Sequence, residues 1–260
     1  MNIKKLYIVY FSPTDTTKKT LQNIALGFKD IEVEEINLTP YHNRELDYNF
    51  TKDDLVIIGA PVYSGRLPEP VTEILKRVKG CQTLAVPIVV YGNRAYDDSL
   101  AELNYYLKLN GFITIAAAAY IAEHSLLAEI ATNRPDEKDQ KHQIQFAKSI
   151  IKTIDSKEYT HNTLIVKGNI PEPMQRNNKL VPQSTAECTN CGVCSTECPM
   201  LAIDSKDFNK TDVQKCILCF RCVRLCKQQA RVLQNEVFNE KIKNMAKKLT
   251  ERKQPEIFLI

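Results

Sequence analysis

The sequence lacks any apolar run long enough to cross a membrane. Its longest largely apolar stretch, residues 112–122, has eleven residues, whereas a spanning helix needs roughly 20. A secretory signal is also missing, because residues 6–11 form too short an apolar segment and continue into Ser12-Pro13 without a small-residue cleavage site. We therefore expect a cytoplasmic protein with no membrane contact.

Glycine is scarce, and the eight glycines form no G-x-G-x-x-G motif. A Rossmann-type nicotinamide site is therefore not indicated, although a nicotinamide could still reach another bound cofactor. A large excess of one charge is also missing, since 35 basic and 31 acidic residues leave a formal charge of only +4. This small excess does not indicate a nucleic-acid partner.

Cysteine, in contrast, is concentrated in one segment. Eight of the nine cysteines lie between Cys188 and Cys226, which favours metal ligation over a disulfide scaffold. Cys81 stands apart, and we interpret it as a buried, inert thiol.

The clustered cysteines form two repeats that begin 28 residues apart. The first repeat is Cys188-x2-Cys191-x2-Cys194-x3-Cys198-Pro, and the second is Cys216-x2-Cys219-x2-Cys222-x3-Cys226-Lys. Cysteines three apart on a tight loop present successive thiolates to one inorganic cube, and the fourth ligand comes from elsewhere. Zinc is the alternative, but structural zinc sites use paired knuckles that are well separated in sequence. The two ladders of four therefore favour iron–sulphur clusters.

Residues 186–230 resemble bacterial-type two-cluster [4Fe–4S] ferredoxins. In that family each repeat lends its fourth cysteine to the other cluster. The resemblance implies one cluster held by Cys188, Cys191, Cys194 and Cys226, and a second held by Cys216, Cys219, Cys222 and Cys198. Lys227 departs from the family, which usually has proline there, and a lysine at this place should raise the reduction potential of its cluster somewhat.

The N-terminal residues 1–156 alternate between strand and helix patterns. Runs at 6–11, 32–38, 55–60, 84–91 and 112–122 predict five strands, and apolar residues at helical spacing predict the helices between them, with a closing helix over 136–154. This order predicts a doubly wound α/β sheet that binds ligands at the carboxyl ends of its strands. Pro87 argues against a fully paired strand at that point.

The rest of the chain divides into a linker and a second domain. Residues 157–185 contain several prolines and a polar stretch, and we interpret them as a linker. Residues 186–260 form the predicted cysteine-rich domain, which ends in an amphipathic helix over 236–249 whose apolar face must cover something.

Three loops follow predicted strands at one edge of the sheet. Hydroxyls and backbone N–H groups at a helix N-terminus suit a phosphate, although a simple helix cap would explain the first loop equally well. Tyrosines in the second and third loops could stack on a flat ring, although each alone is more often a plain surface or core residue. The loop residues are Ser12, Thr14, Asp15, Thr16 and Thr17; Ala60, Pro61, Val62, Tyr63, Ser64 and Gly65; and Gly92, Asn93, Arg94, Tyr96 and Asp97.

Together these loops resemble flavodoxins over residues 3–155, and the whole chain resembles fused flavodoxin–ferredoxin proteins. The resemblance implies FMN, with the first loop on its phosphate and Tyr63, Asn93 and Tyr96 against its ring. Asp15 replaces the usual glycine, so a positive φ there would cost about 1 kcal/mol, and its carboxylate would have to point away from the phosphate. His124, after the fifth strand, could donate a proton to the flavin or simply satisfy loop hydrogen bonds.

This combination leaves three functions open. The favoured one is an electron-transfer protein that relays electrons between its clusters and FMN and serves redox partner proteins. The second is a flavin-dependent reductase of a quinone, a nitro compound or dioxygen, and the third is a redox sensor or binding module with weak or no flavin. The sequence is compatible with a homodimer but does not fix the oligomeric state.

Overall fold

A computed structural model describes residues 3–170 and 180–260. Its main sheet contains five parallel strands: β1 (Lys5–Tyr10), β2 (Glu32–Asn37), β4 (Asp54–Pro61), β6 (Thr83–Tyr91) and β8 (Ala116–Ile121). Two short strands, β3 (Tyr48–Phe50) and β5 (Val78–Gly80), pair with each other, and β7 (Phe112–Thr114) pairs with β6. The parallel strands lie in the order β2-β1-β4-β6-β8. The chain therefore places β2 on one side of β1 and the later strands β4, β6 and β8 on the other side. This order is that of the flavodoxin-like fold, which confirms the predicted class.

Four helices cover the two faces of this sheet. They are α1 (Thr16–Ala25), α2 (Glu69–Leu75), α3 (Ser99–Leu109) and α4 (Glu137–Ser156), with 3-10 turns at Tyr41–Glu45 and Glu158–Thr160. Apolar residues of α1 and α4 share one core with the sheet, and those of α2 and α3 share the other. Both faces of the central strands are therefore buried, as their continuous apolar runs predict.

The cysteine-rich part contains only short elements before its last helix. Strands β9 (Gln183–Ser184) and β10 (Arg231–Val232) pair antiparallel, and helices α5 (Val193–Thr196) and α6 (Arg221–Arg224) each follow a cysteine loop. Helix α7 (Glu236–Ala246) then leads to strand β11 (Glu256–Leu259). Among residues 3–170 and 180–260, no helix combines the length and apolar character that crossing a membrane requires.

Several details differ from the sequence-based expectation. Strand β11 pairs antiparallel with β8, so the end of the chain joins the first domain's sheet rather than only the second domain. Val78, at the end of the helix predicted between the third and fourth strands, lies in β5. Cys81, expected to be buried, is exposed in the turn after β5. The fifth predicted strand is divided at Ile115 into β7 and β8. Residues 171–179 of the predicted linker lie outside the described residues.

Pro87 is tolerated inside β6 because of that division. It pairs with Ile58 of β4, but β7 pairs only up to Ala85 and β8 only from Ile88. The Ile115 N–H donates to the Ala85 carbonyl at 3.0 Å, so the backbone groups of Ala85 face β7 and β8. Because backbone direction alternates along a strand, Pro87, two residues later, faces the same neighbours. The donor that proline lacks thus falls at the gap between two strands.

Candidate cluster and cofactor sites

The eight repeat cysteines line two separate cavities. We call the one lined by Cys188, Cys191, Cys194 and Cys226 the outer cavity, and the one lined by Cys198, Cys216, Cys219 and Cys222 the inner cavity. Each cavity thus receives three cysteines from one repeat and the fourth from the other. Four thiols around one cavity are the donor set of a [4Fe–4S] cluster, so the residues fit the groups that the sequence predicts.

The two cysteine loops share one backbone design. Asn190 and Gly192 of the first loop have positive φ values of 55° and 78°, and Leu218 and Phe220 occupy the matching positions of the second loop with 53° and 61°. A non-glycine residue in this region costs about 1 kcal/mol. With this backbone, the three cysteines of each loop line one cavity.

Exposure and electrostatics distinguish the two cavities. Cys191 of the outer cavity is exposed, whereas Cys219 of the inner cavity is buried. Burial raises the pKa of the Cys219 thiol and raises the pKa of the Cys222 thiol to about 11. Burial also raises the pKa of Cys194, and the positive charge of Arg231 opposes this shift at both Cys194 and Cys222.

A groove of about 500 Å³ lies at the carboxyl ends of β4, β6 and β8. Its walls come from three sources: the loops after these strands, the second cysteine loop and helix α7. The lining residues include Val62, Tyr63, Ser64, Gly65, Gly92, Arg94 and His124 from the loops, Cys216, Ile217, Leu218 and Phe220 from the cysteine loop, and Phe238, Ile242 and Met245 from α7. The apolar face of α7 therefore covers this groove, as its spacing predicts.

The first predicted loop lies beside this groove but does not line it. It follows β1, which neighbours β4 in the sheet. The Ser12 hydroxyl accepts a hydrogen bond from the Lys18 N–H at 3.0 Å, so it caps α1 rather than facing outward. The N–H groups of Thr14, Thr16 and Thr17 have no protein acceptor among the described residues, and the buried Thr17 hydroxyl is also without a partner there. These free donors suit an anion.

Asp15 adopts the positive φ that the sequence comparison with flavodoxins anticipates, with φ 60°. Its carboxylate points toward the cysteine-rich part, where Arg221 Nη1 lies 3.6 Å away. Arg221 also donates to the Pro13 carbonyl at 2.8 Å and to Glu197. The aspartate thus takes part in a contact between the two parts of the chain.

The third loop is divided between the groove and the C-terminal segment. Gly92 lines the groove, and a Cβ there would come within 2.4 Å of the His124 ring. Asn93 is buried, and its amide donates to the carbonyls of Leu249 and Glu251 at 2.9 and 2.8 Å, while its Oδ1 has no partner among the described residues.

Two residues of the third loop turn away from the groove. Tyr96, expected against the flavin ring, lies instead in the core, where its ring packs on Tyr91 and its hydroxyl donates to Glu256 at 3.0 Å. The apolar contact and the carboxylate acceptor account for this orientation. Asp97 pairs with Arg94, and its carboxylate lies beside Gly65. Ala60 and Pro61 end β4, with Ala60 fully buried.

His124 lines the groove, but its hydrogen bonds are local. Its Nδ1 accepts from the Leu126 and Leu127 N–H groups at 3.2 and 3.4 Å. Burial lowers the pKa of the imidazole, and the charge of Arg224 lowers it further. Both effects favour the neutral imidazole, in which an unprotonated Nδ1 can accept these hydrogen bonds. A role as proton donor stays a prediction.

Sequence reasoning missed the residues that join the two parts. Arg224 donates to Glu123 Oε1, the His124 carbonyl and the Ser125 carbonyl at 2.7, 2.7 and 3.0 Å. Arg44 donates to the Pro199 carbonyl. No spacing or composition signal marks such arginines, because their partners are mostly backbone carbonyls distant in sequence.

The cysteine-rich part of the chain matches a known family model. Residues 181–227 match the family model of the 4Fe-4S dicluster domain. The chain joins a flavodoxin-like sheet to a 4Fe–4S dicluster domain. No curated protein sequence matches it significantly.

Several solved structures resemble part of the chain. Rubredoxin oxygen:oxidoreductase from Desulfovibrio gigas shares 20% identity over 62% of this chain and 38% of its own length, with a TM-score of 0.44. A flavodoxin from the domain Archaea shares 13% identity over 58% of this chain and 99% of its own, with a TM-score of 0.42. Flavodoxin 2 from Bacillus cereus shares 14% identity over 57% and 98%, with a TM-score of 0.41. The fold assignment rests on strand order.

Proposed function

We propose that this protein is an electron-transfer iron–sulphur flavoprotein that relays electrons between two [4Fe–4S] clusters and FMN. One observation carries the proposal: Cys216 and its neighbours Ile217 and Leu218 line the inner cavity and also the groove at the flavodoxin-like edge. A cluster site and a flavin-sized site thus share one wall. Bound clusters exchange single electrons, and a bound flavin accepts one or two.

The free polar groups support FMN in this part of the molecule. The N–H groups of Thr14, Thr16 and Thr17 and the Thr17 hydroxyl would hold the phosphate. The groove beside Tyr63 and Gly92 would hold the ring system. Burial raises the pKa of Tyr63 well above its usual range, and the neighbouring Cys219 adds to this shift, so the phenol stays neutral and can stack or donate a hydrogen bond.

The two cavities suggest an order for the relay. The inner cavity adjoins the groove, while the outer cavity includes the exposed Cys191. We infer that redox partner proteins exchange electrons at the outer cavity, and that the inner cavity connects it to the flavin. A single chain holds these sites close together at high effective concentration.

Helix α7 favours a relay over a reductase of small molecules. Phe238, Ile242 and Met245 lie over the groove, where a reductase needs an open space beside the flavin for its substrate. A relay needs no such space, because electrons cross the shared wall at Cys216.

The decisive experiment is anaerobic purification followed by quantification of iron, sulphide and FMN per chain. We expect eight iron atoms and one FMN, with flavin absorption bands above the broad cluster absorption. Zinc or free thiols in place of iron and sulphide would overturn the proposal, and clusters without FMN would replace it with a sensor or binding module. Fast multiple-turnover reduction of a quinone, a nitro compound or dioxygen by reduced protein would instead favour the reductase.

The oligomeric state and the location are separate predictions. A homodimer would be recognised by sedimentation of the anaerobic protein. A cytoplasmic location would be tested by fractionating cells and following the chain with an antibody.

A further inference from the structure

Arg231 lies between the two cysteine cavities. It is the first residue of β10 and pairs with Ser184 of β9. Its side chain is 2% exposed, and it lines both the outer and the inner cavity. No other arginine or lysine among the described residues lines both of these cavities.

The oxygen acceptors of the guanidinium are all neutral, and the Cys222 thiol of the inner cavity also lies within hydrogen-bond reach of it. Its Nη1 donates to the Ser184 hydroxyl at 3.1 Å and to the Phe208 carbonyl, and its Nη2 donates to the Thr211 hydroxyl. Its Nε has no partner among the described residues, and no carboxylate of residues 3–170 and 180–260 pairs with it. Arginine stays charged in proteins, and a buried charge without a counter-charge is strongly unfavourable.

The groups that can supply the counter-charge are the cysteine thiolates. Arg231 lines the outer cavity together with Cys194 and the inner cavity together with Cys222. The field of this one guanidinium therefore reaches ligands on either side. The fixed hydrogen bonds to Ser184, Phe208 and Thr211 keep it from turning toward one cavity alone.

We propose that Arg231 is a positive charge shared by the two clusters, and that it raises the reduction potential of both. The inference rests on the two clusters of the proposed function. Reduction adds one negative charge to a cluster, and a fixed cation beside it stabilises the more negative form. Arg231 is not itself a cluster ligand, and it acts on the two potentials through the fixed position of its charge.

The test is Arg231→Gln, compared with wild type and with Lys227→Gln as matched control. Lys227 lines only the outer cavity, so its loss should shift at most one potential. Each protein is purified anaerobically, its iron is counted, and both midpoint potentials are measured by titration followed with electron paramagnetic resonance. In Arg231→Gln we expect both potentials to fall while the iron content stays at wild-type level. Arg231→Lys, which keeps the charge, should restore at least one of them.

Unchanged potentials in a fully loaded Arg231→Gln protein, or a fall in only one of them, would overturn the proposal. Should this variant lose iron, Arg231→Met provides a second neutral side chain that fills the apolar space. Failure of both neutral variants to hold clusters would also overturn it, because Arg231 would then act only in folding. A wild-type protein without eight iron atoms would instead contradict the proposed function, so the two failures are distinguishable.

Discussion

Position 15 carries a residue whose backbone and side chain serve different parts of the molecule. The left-handed conformation of Asp15 suits glycine better, and its carboxylate faces Arg221. We predict that Asp15→Gly tightens FMN binding, because it removes a negative charge next to the proposed phosphate site. It should also relieve about 1 kcal/mol of backbone strain. The ion pair with Arg221 that it removes stabilises the protein only slightly, because the Asp15 carboxylate is exposed.

Asp15→Asn separates the two effects, because asparagine tolerates positive φ and removes the charge. Titrating apoprotein with FMN and following flavin fluorescence gives the dissociation constants. Equal tightening in both variants would assign the effect to charge, and no tightening in either would contradict the phosphate site.

The lowered pKa of His124 predicts a pH dependence of stability. Because burial depresses this pKa in the folded state, the unfolded chain binds the proton more tightly. The stabilisation is therefore present above the unfolded value of about 6.5 and is lost as the pH falls below it. His142, whose pKa is also lowered by burial, contributes in the same direction.

We predict that His124→Asn reduces, but does not abolish, the fall in melting temperature between pH 8 and pH 5.5. Asparagine can still accept from the Leu126 N–H, so the loop should be kept. Anaerobic melting curves at each pH measure the effect. A variant that melts with the wild-type pH dependence would show that His124 titrates normally. Loss of flavin reduction in the same variant would support the predicted role of His124 as proton donor.

At the scale of elements, periodicity predicted what is locally determined. The five strands and the helices α1, α3 and α4 agree with their apolar patterns, and the spacing of Phe238, Ile242 and Met245 correctly predicted a covered surface. Pro87 correctly indicated an incompletely paired point of the sheet, because β7 and β8 leave a gap beside it. Strand β11 was missed because its partner, β8, lies more than 100 residues earlier in the chain.

The segment after α7 holds this helix, the cover of the groove, in place. Arg252 donates to both Asp136 oxygens and to Asp139 at 2.7 to 3.1 Å, and the Asn93 amide donates to the carbonyls of Leu249 and Glu251. We predict that Arg252→Ala loosens this segment by about 1 kcal/mol. FMN release and proteolysis after residue 246 should both become faster.

Arg77→Ala is the matched control, because Arg77 pairs with the exposed Asp47 away from this segment. Stopped-flow dilution measures FMN release, and limited proteolysis with mass spectrometry locates the cleavage. Equal behaviour of the two variants would mean that Arg252 does not fasten the cover.

At the scale of the whole molecule, the division of the eight cysteines into two sets of four was predictable from the sequence. The orientation of the two cavities relative to the groove was not. The repeat spacing and the resemblance to ferredoxins assign four cysteines to each cavity. Which cavity faces the groove depends on Arg44, Arg221 and Arg224, which bind backbone carbonyls across the junction. Backbone carbonyls leave no trace in a sequence, so this orientation could be found only in three dimensions.

The junction predicts how electron exchange depends on docking. Arg224 makes three hydrogen bonds to residues 123–125 with a partly exposed side chain. Its replacement by alanine should weaken docking by about 1.5 kcal/mol, which is about tenfold. Flavin–cluster equilibration after flash reduction should then slow while staying independent of protein concentration, since both partners remain in one chain. Lys215→Ala, which removes only a local pair with Asp212, should leave the rate unchanged. An unaltered rate in Arg224→Ala would show that the inner cavity reaches the groove without this contact.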